Sequence, residues 1–268
     1  MVSLGLITAG VCAFLFWAVP RLERRFVFRP RKDVTQTPAQ FGVPFEQLFL
    51  PTPDGERLSA WHLLPDRPRA AVLYFHGNSG NLGHFAEVLT RLYQNRLQVF
   101  AVDYRGYGWS SGQPTEEGVY MDALAAVEYF HDRLRVDGCP VVFWGRSLGG
   151  PVAAYASGRA APGGLILETT FSSKRVLLRN YPRQFRFFSV FSSYRFDTLR
   201  YLSGQRLHKL VVHGDQDRTI PVEQGRYLFR NLENPKSLLV ISGADHINIR
   251  KVDEDRYWGG ILRFIDRL

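Results

Sequence analysis

Hydrophobic residues along the chain follow three distinct rhythms. Val2 to Val19 is a run of 18 residues without a charge, apolar apart from Ser3 and Thr8. Phe45–Leu50 and Leu58–Leu64 alternate apolar and polar residues on either side of Pro53-Asp54-Gly55-Glu56, which predicts an antiparallel hairpin. From residue 70 onward the rhythm changes to short continuous runs: Ala70–Phe75, Val99–Val102, Val141–Trp144, Gly164–Leu167, Leu210–Val212 and Leu238–Ile241. Runs of that length bounded by turn residues predict strands buried on both faces of a parallel sheet. Stretches of helical length lie between most of them: Phe85–Leu92, Glu117–Leu134, Leu148–Ser157, Glu223–Leu232 and Asp255–Leu268. This alternation predicts an α/β chain with a mostly parallel, doubly wound sheet and an antiparallel hairpin at its N-terminal side. Residues 171–206 break it and are expected to form an insertion over the sheet. Residues 30–44, with Pro30, Pro38, Gly42 and Pro44, are expected to be a linker.

The first run changes the picture most. As a helix it would span about 27 Å, close to the hydrocarbon thickness of a bilayer. Trp17 then falls at one interface, with Arg21, Arg24, Arg25, Arg29, Arg31 and Lys32 close behind it against Glu23 alone. No basic region precedes the run and no Ala-x-Ala cleavage site follows it, so a retained transmembrane anchor is expected over residues 1–20 rather than a signal peptide. The positive-inside rule places the rest of the chain in the cytoplasm. The organisation is then an anchor at 1–20, a basic juxtamembrane segment and linker at 21–44, and one folded domain at 45–268.

Composition excludes several classes. With 45% hydrophobic and 22% charged residues among 268, the chain is neither fibrous nor disordered. Two cysteines, Cys12 and Cys139, support no disulfide framework or cysteine-rich zinc site. The net charge of +9 is concentrated in the juxtamembrane cluster and in residues 174–206, where eight Lys or Arg face Asp197 alone. Arginine there alternates with phenylalanine and tyrosine, a mixture that can bind single-stranded nucleic acid. Phe185, Phe187, Phe188 and Phe191 instead suit an interfacial anchor or a cover for an acyl chain, and no nucleic-acid partner is expected.

The chemistry is carried by Val141-Val142-Phe143-Trp144-Gly145-Arg146-Ser147-Leu148-Gly149-Gly150, a strand, a Gly-x-Ser-x-Gly turn and a helix start. Such a turn presents the Ser147 hydroxyl at the strand's end as a nucleophile. Phe75-His76-Gly77-Asn78-Ser79-Gly80 follows the first buried strand, and its Asn78 amide can join the Leu148 amide as an oxyanion hole. Asp215 and Asp217 lie just past a later strand. Asp217, three residues after Gly214 and four before Pro221, is the favoured acid, with Asp215 and Glu168 as alternatives. Of the seven histidines only His246 follows the last strand, where it can reach Ser147; His76 and His213 are expected to brace their loops. The order Ser147, Asp217, His246 is that of α/β-hydrolase triads.

These motifs, with Asp103-Tyr104-Arg105-Gly106-Tyr107-Gly108, Glu168-Thr169 and His213-Gly214, resemble α/β-hydrolase-fold serine hydrolases, and more narrowly the membrane-anchored Bem46-like group. The resemblance covers residues 45–268 and the N-terminal run. It implies the α/β-hydrolase fold and a serine hydrolase acting on acyl esters or thioesters at a membrane, with lipids as neighbours and no cofactor. Asp245, before His246, departs from the small residue common there. No metal is expected, as there is no His-Glu-x-x-His, and Gly106-Tyr107-Gly108 lacks the third glycine of a dinucleotide fingerprint. The competing reading is a membrane scaffold or binding protein that retains the fold.

Overall fold

The computed structural model describes residues 14, 17, 18, 21–178 and 194–268. The strands are β1 (Arg29–Pro30), β2 (Glu46–Pro51), β3 (Arg57–Leu63), β4 (Ala70–Phe75), β5 (Ser79–Gly80), β6 (Leu97–Val102), β7 (Val141–Arg146), β8 (Gly164–Glu168), β9 (His208–Gly214) and β10 (Lys236–Ile241). Between and after them run α1 (Ala86–Gln94), α2 (Glu116–Tyr129), α3 (Gly149–Ala160), α4 (Lys174–Leu177), α5 (Thr198–Leu202), α6 (Val222–Asn231) and α7 (Glu254–Ile265). The expected hairpin is β2–β3, and each expected buried run lies within a strand.

Eight strands form one sheet in the order β10-β9-β8-β7-β4-β6-β3-β2. β3 runs antiparallel to both β2 and β6, and every other neighbouring pair is parallel. The continuous apolar runs are explained by burial on both faces. In β4, Ala71, Leu73 and Phe75 face one core layer with Val119 and Ala123 of α2 and Val152 and Ala156 of α3. Ala70, Val72 and Tyr74 face the other, with Leu89 and Leu92 of α1 and Tyr257, Ile261 and Phe264 of α7. Helix starts are capped as their sequences suggest: Thr115 accepts from the Gly118 N–H ahead of α2, and Asp253 from the Arg256 N–H ahead of α7. Because the central strands are parallel, the loops leaving β4, β7, β9 and β10 gather at one edge of the sheet.

Residues 30–44 carry more structure than a linker. β1 pairs in parallel with β5, Pro38–Phe41 forms a 3₁₀ turn, and the Asn81 side-chain amide donates to the carbonyls of Arg31 (3.0 Å) and Asp33 (2.8 Å). Proline removes N–H donors from this stretch, but tertiary partners take the Arg31 N–H and the Arg31 and Asp33 carbonyls, a relation that composition does not encode.

The apolar run Val2–Val19 lies outside the described residues except for Phe14, Trp17 and Ala18, and among the described residues no helix is long and apolar enough to cross a membrane. Residues 21–27 are helical. Of the insertion, Phe171, Tyr194 and Phe196 are buried in the core and α5 packs against α3. Phe185, Phe187, Phe188 and Phe191 lie outside the described residues.

Candidate active site

Ser147 sits between the end of β7 and the start of α3 with φ at +53°. A non-glycine residue in the left-handed region is uncommon and costs about 1–3 kcal/mol, so surrounding contacts must hold it. They are present. The Ser147 N–H donates to the Glu168 carbonyl at 2.9 Å, and its own carbonyl accepts from the Gly150 N–H (3.0 Å) and the Thr170 hydroxyl (2.6 Å). The flanking glycines are required by close approach. A Cβ at Gly145 would run into the Gly149 carbonyl, and one at Gly149 into the carbonyl of Phe75. The helix therefore starts hard against the sheet, with Ser147 at its head.

The loops after β9 and β10 bring Asp217 and His246 together. His246 Nδ1 lies 2.7 Å from Asp217 Oδ2. The other carboxylate oxygen, Oδ1, accepts the N–H groups of Thr219 and Ile220, each at 2.8 Å. His213, fully buried, lies with Nε2 3.5 Å from the same Oδ2 and 2.8 Å from the Ile220 carbonyl, which fixes the turn that carries Asp217. Burial alone would raise the Asp217 pKa. The hydrogen bonds from His213 and His246 outweigh it and hold the carboxyl well below the usual carboxylate range.

The alternative acids are engaged elsewhere. Asp215 is bonded to the Gly243 N–H at 2.7 Å and the Ser242 hydroxyl at 3.0 Å, and these lower its pKa. Asp245 accepts the N–H groups of Ile247 (2.7 Å) and Asn248 (2.8 Å), so its role is to cap the turn behind His246.

Glu168 is fully buried and accepts from Trp144 Nε1 at 2.8 Å, with Arg250 Nη2 at 3.1 Å and Arg146 Nε at 3.3 Å. Burial opposes its charge, but the two guanidiniums hold its pKa below the ordinary value. Burial would likewise lower that of Arg250, but Glu168 raises it instead. Arg146 also donates from Nη2 to the main-chain carbonyl of His246 at 2.5 Å. Sequence reasoning missed Arg146 and Arg250 as a group. The available signal was a charged residue inside Gly-x-Ser-x-Gly and a second arginine four residues after His246; their shared partner at the end of β8 is visible only once the strands are ordered.

Leu148 caps the N-terminal end of α3, where N–H groups lack helical partners and the helix dipole favours negative charge. Asn78 lies on the loop after β4, and its carbonyl accepts from the Arg29 N–H and the Tyr107 hydroxyl, both at 2.8 Å. That loop passes close to Ser147: a Cβ at Gly77 would stand 3.5 Å from that of Ser147. The Arg105 loop beside it is braced by charge. Buried Arg105 binds Asp122 through Nε at 2.9 Å and Asp54 through Nη1 at 2.7 Å. A cavity of about 400 Å³ lined by His208, Lys209, Lys236 and Arg263 lies at the opposite ends of β9 and β10, away from these residues.

Comparison with known proteins agrees with the fold. A family model described as alpha/beta hydrolase fold matches residues 70–207. Bem46 of Schizosaccharomyces pombe is 32% identical over 210 residues, covering 74% of this chain and 69% of that protein. An uncharacterised membrane protein of Saccharomyces cerevisiae is 30% identical over 245 residues, covering 87% and 84% of the two chains. The alpha/beta hydrolase domain-containing protein WAV2 of Arabidopsis thaliana is 34% identical over 179 residues, 63% of this chain, which spans only 56% of WAV2. Among solved structures, the esterase Pf2001 of Pyrococcus furiosus superposes with a TM-score of 0.73 at 19% identity, over 90% of this chain and 97% of that one. The chain belongs to the α/β-hydrolase-fold family and, within it, to the Bem46-like group.

Proposed function

We propose that the protein is a membrane-anchored serine hydrolase that cleaves acyl esters or thioesters. The observation that carries this reading is the strained Ser147 at the head of α3, on the same edge of the sheet as the hydrogen-bonded pair Asp217–His246.

In the proposed mechanism His246 takes the proton of Ser147 as the hydroxyl oxygen attacks the acyl carbonyl carbon. Asp217 accepts from His246 Nδ1, which sets the tautomer and stabilises the imidazolium. The carbonyl electron pair becomes an oxyanion held by the N–H groups of Leu148 and Asn78. Collapse expels the alcohol or thiol, which leaves with the proton from His246. Water, deprotonated by the same histidine, then attacks the acyl-Ser147 ester and releases the acid.

The membrane part of the reading is supported by the apolar run Val2–Val19 and the cations behind it. Phe14, Trp17, Leu22 and Phe26 are all more than half exposed, and Arg21 stacks over Trp17 at 4.3 Å. Aromatic and arginine side chains of this kind suit a lipid interface. A relative named as a membrane protein supports the same view. The catalytic domain is placed on the cytoplasmic side, and lipid-linked acyl groups are the substrates nearest to hand. The test is a panel of acyl esters and thioesters of graded chain length, run with Ser147→Ala; no turnover of any member by the wild type would overturn the proposal.

A further inference from the structure

An oxyanion donor works only if its direction is fixed before the charge develops. The loop that carries Asn78 does not fix itself. It reads Gly77-Asn78-Ser79-Gly80, with Gly80 at φ +89°, and glycine leaves the backbone with wide freedom. Its constraints come from elsewhere in the chain. The Arg29 N–H donates to the Asn78 carbonyl at 2.8 Å and the Arg31 N–H to the Gly80 carbonyl at 2.9 Å, as the two-residue ladder of β1 on β5. In return the buried Asn81 side chain donates to the carbonyls of Arg31 and Asp33.

The segment making these bonds is held at both ends. Behind it, the buried Phe28 ring packs edge-on against Tyr194 (5.7 Å) and Phe196 (6.1 Å), and Glu23 pairs with Lys174 at the start of α4. Ahead of it, the Gly108 N–H donates to the Arg31 carbonyl at 2.9 Å and Lys32 Nζ to the Ser110 carbonyl at 2.7 Å. β1 pairs only with β5 and takes no part in the eight-stranded sheet. Its bonds are therefore spent on one loop.

We propose that residues 28–33 are a strap that positions the oxyanion loop, with the main-chain N–H groups of Arg29 and Arg31 and the Asn81 amide as its positioning contacts. The proposal rests on the reading of Asn78 as an oxyanion donor. The strap touches neither nucleophile nor base; it restrains the peptide that follows Asn78 and so limits the directions the Asn78 N–H can take.

The test uses the full chain. Arg29→Pro and Arg31→Pro each delete one N–H at positions already extended beside Pro30, whereas Arg29→Ala and Arg31→Ala delete the guanidinium and keep the N–H. Asn81→Ala loosens the strap without a proline. Two quantities are read: kcat and KM for an acyl ester, and the affinity of an aryl trifluoromethyl ketone. The Ser147 oxygen adds to the ketone carbon, its proton passes to His246, and the carbonyl oxygen becomes an anion in the same hole. In the proline variants and in Asn81→Ala, kcat is expected to fall about 10- to 100-fold with KM changed less than about twofold, on the scale of a misdirected oxyanion donor. Ketone affinity should fall by the same factor, and the alanine variants at 29 and 31 should match the wild type.

Wild-type kcat in Asn81→Ala and in the folded proline variants would overturn the proposal. So would a loss of kcat without loss of ketone affinity, or an equal loss in Arg29→Ala and Arg31→Ala. Where the proline variants do not fold, Asn81→Ala decides. Ser147→Ala in the same assay separates the two levels: activity that survives it defeats the serine-hydrolase reading, not the strap.

Discussion

Arg146 and His246 are joined directly, Nη2 of the residue before the candidate nucleophile donating to the main-chain carbonyl of the candidate base at 2.5 Å. The same guanidinium rests on buried Glu168, which also holds Arg250. The elbow and the histidine loop, one hundred residues apart in sequence, are thus set by one side chain.

Arg146→Met should therefore slow turnover while leaving the serine reactive. A loop displaced by about 1 Å costs on the order of 100-fold in rate. We expect kcat for an acyl ester to fall between about 10- and 100-fold with fluorophosphonate labelling slowed but complete. Steady-state kinetics at wild-type rate would show that His246 needs no such tie.

Asp217→Asn should damage turnover far more than Asp215→Asn. The imidazole must donate to the group at 217, and an amide there favours the wrong tautomer at a cost of about 10⁴ in kcat. Asp215 holds only Gly243 and Ser242, so its asparagine variant should stay within about threefold. Comparison of kcat for the two variants checks this, and a slower Asp215 variant would reverse the assignment.

Most of the sheet was legible because both-face burial makes a strand visible as an apolar run, as at Ala70–Phe75. The elbow was legible because Gly-x-Ser-x-Gly directly after a buried apolar run is a local pattern, although the contact that demands Gly149 is with the distant Phe75 carbonyl. What the sequence concealed depends on distant partners. Prolines at 30, 38 and 44 read as a linker, yet Arg29, Arg31 and Asp33 bond to the loop at 78–81. Glu168 remained a candidate acid because its arginine partners, 22 residues before and 82 after, meet it only across the ordered strands.

Arg105 gives a pH-dependent prediction. Burial raises the Asp122 pKa to about 6 despite Arg105, and the Arg105 hydrogen bonds lower that of Asp54 to about 2. An acid with a raised folded pKa binds more protons when native, so its contribution to stability falls as pH rises from about 4 to about 6. In Arg105→Ala the buried Asp122 loses its cation and its pKa climbs further. The variant should lose about 3–5 kcal/mol at neutral pH and regain part of it toward pH 5. Urea titrations at pH 5 and 8 check this; a pH-independent loss would contradict it.

For the membrane surface, a chain starting at residue 21 keeps Phe28 and the strap, which a cut at residue 30 would remove. It retains the cations at 21–32 and those in 174–206, each contributing about 1 kcal/mol near an anionic leaflet. It should sediment with anionic vesicles, not neutral ones, and release as salt shortens the Debye length to about 3 Å at 1 M. Equal binding to both vesicle types, unmoved by salt, would contradict the expected surface.

The central claim is that Ser147 is the nucleophile of an acyl hydrolase, and the direct measurement is turnover of an activated acyl ester by Ser147→Ala beside the wild type. Alanine at 147 removes the hydroxyl while the main-chain bonds to Glu168, Gly150 and Thr170 remain available, so the fold should persist by circular dichroism. The account predicts a loss of about 10⁴- to 10⁶-fold in kcat and no fluorophosphonate labelling. A folded Ser147→Ala protein that still turns over the ester, or still takes the label, would contradict it.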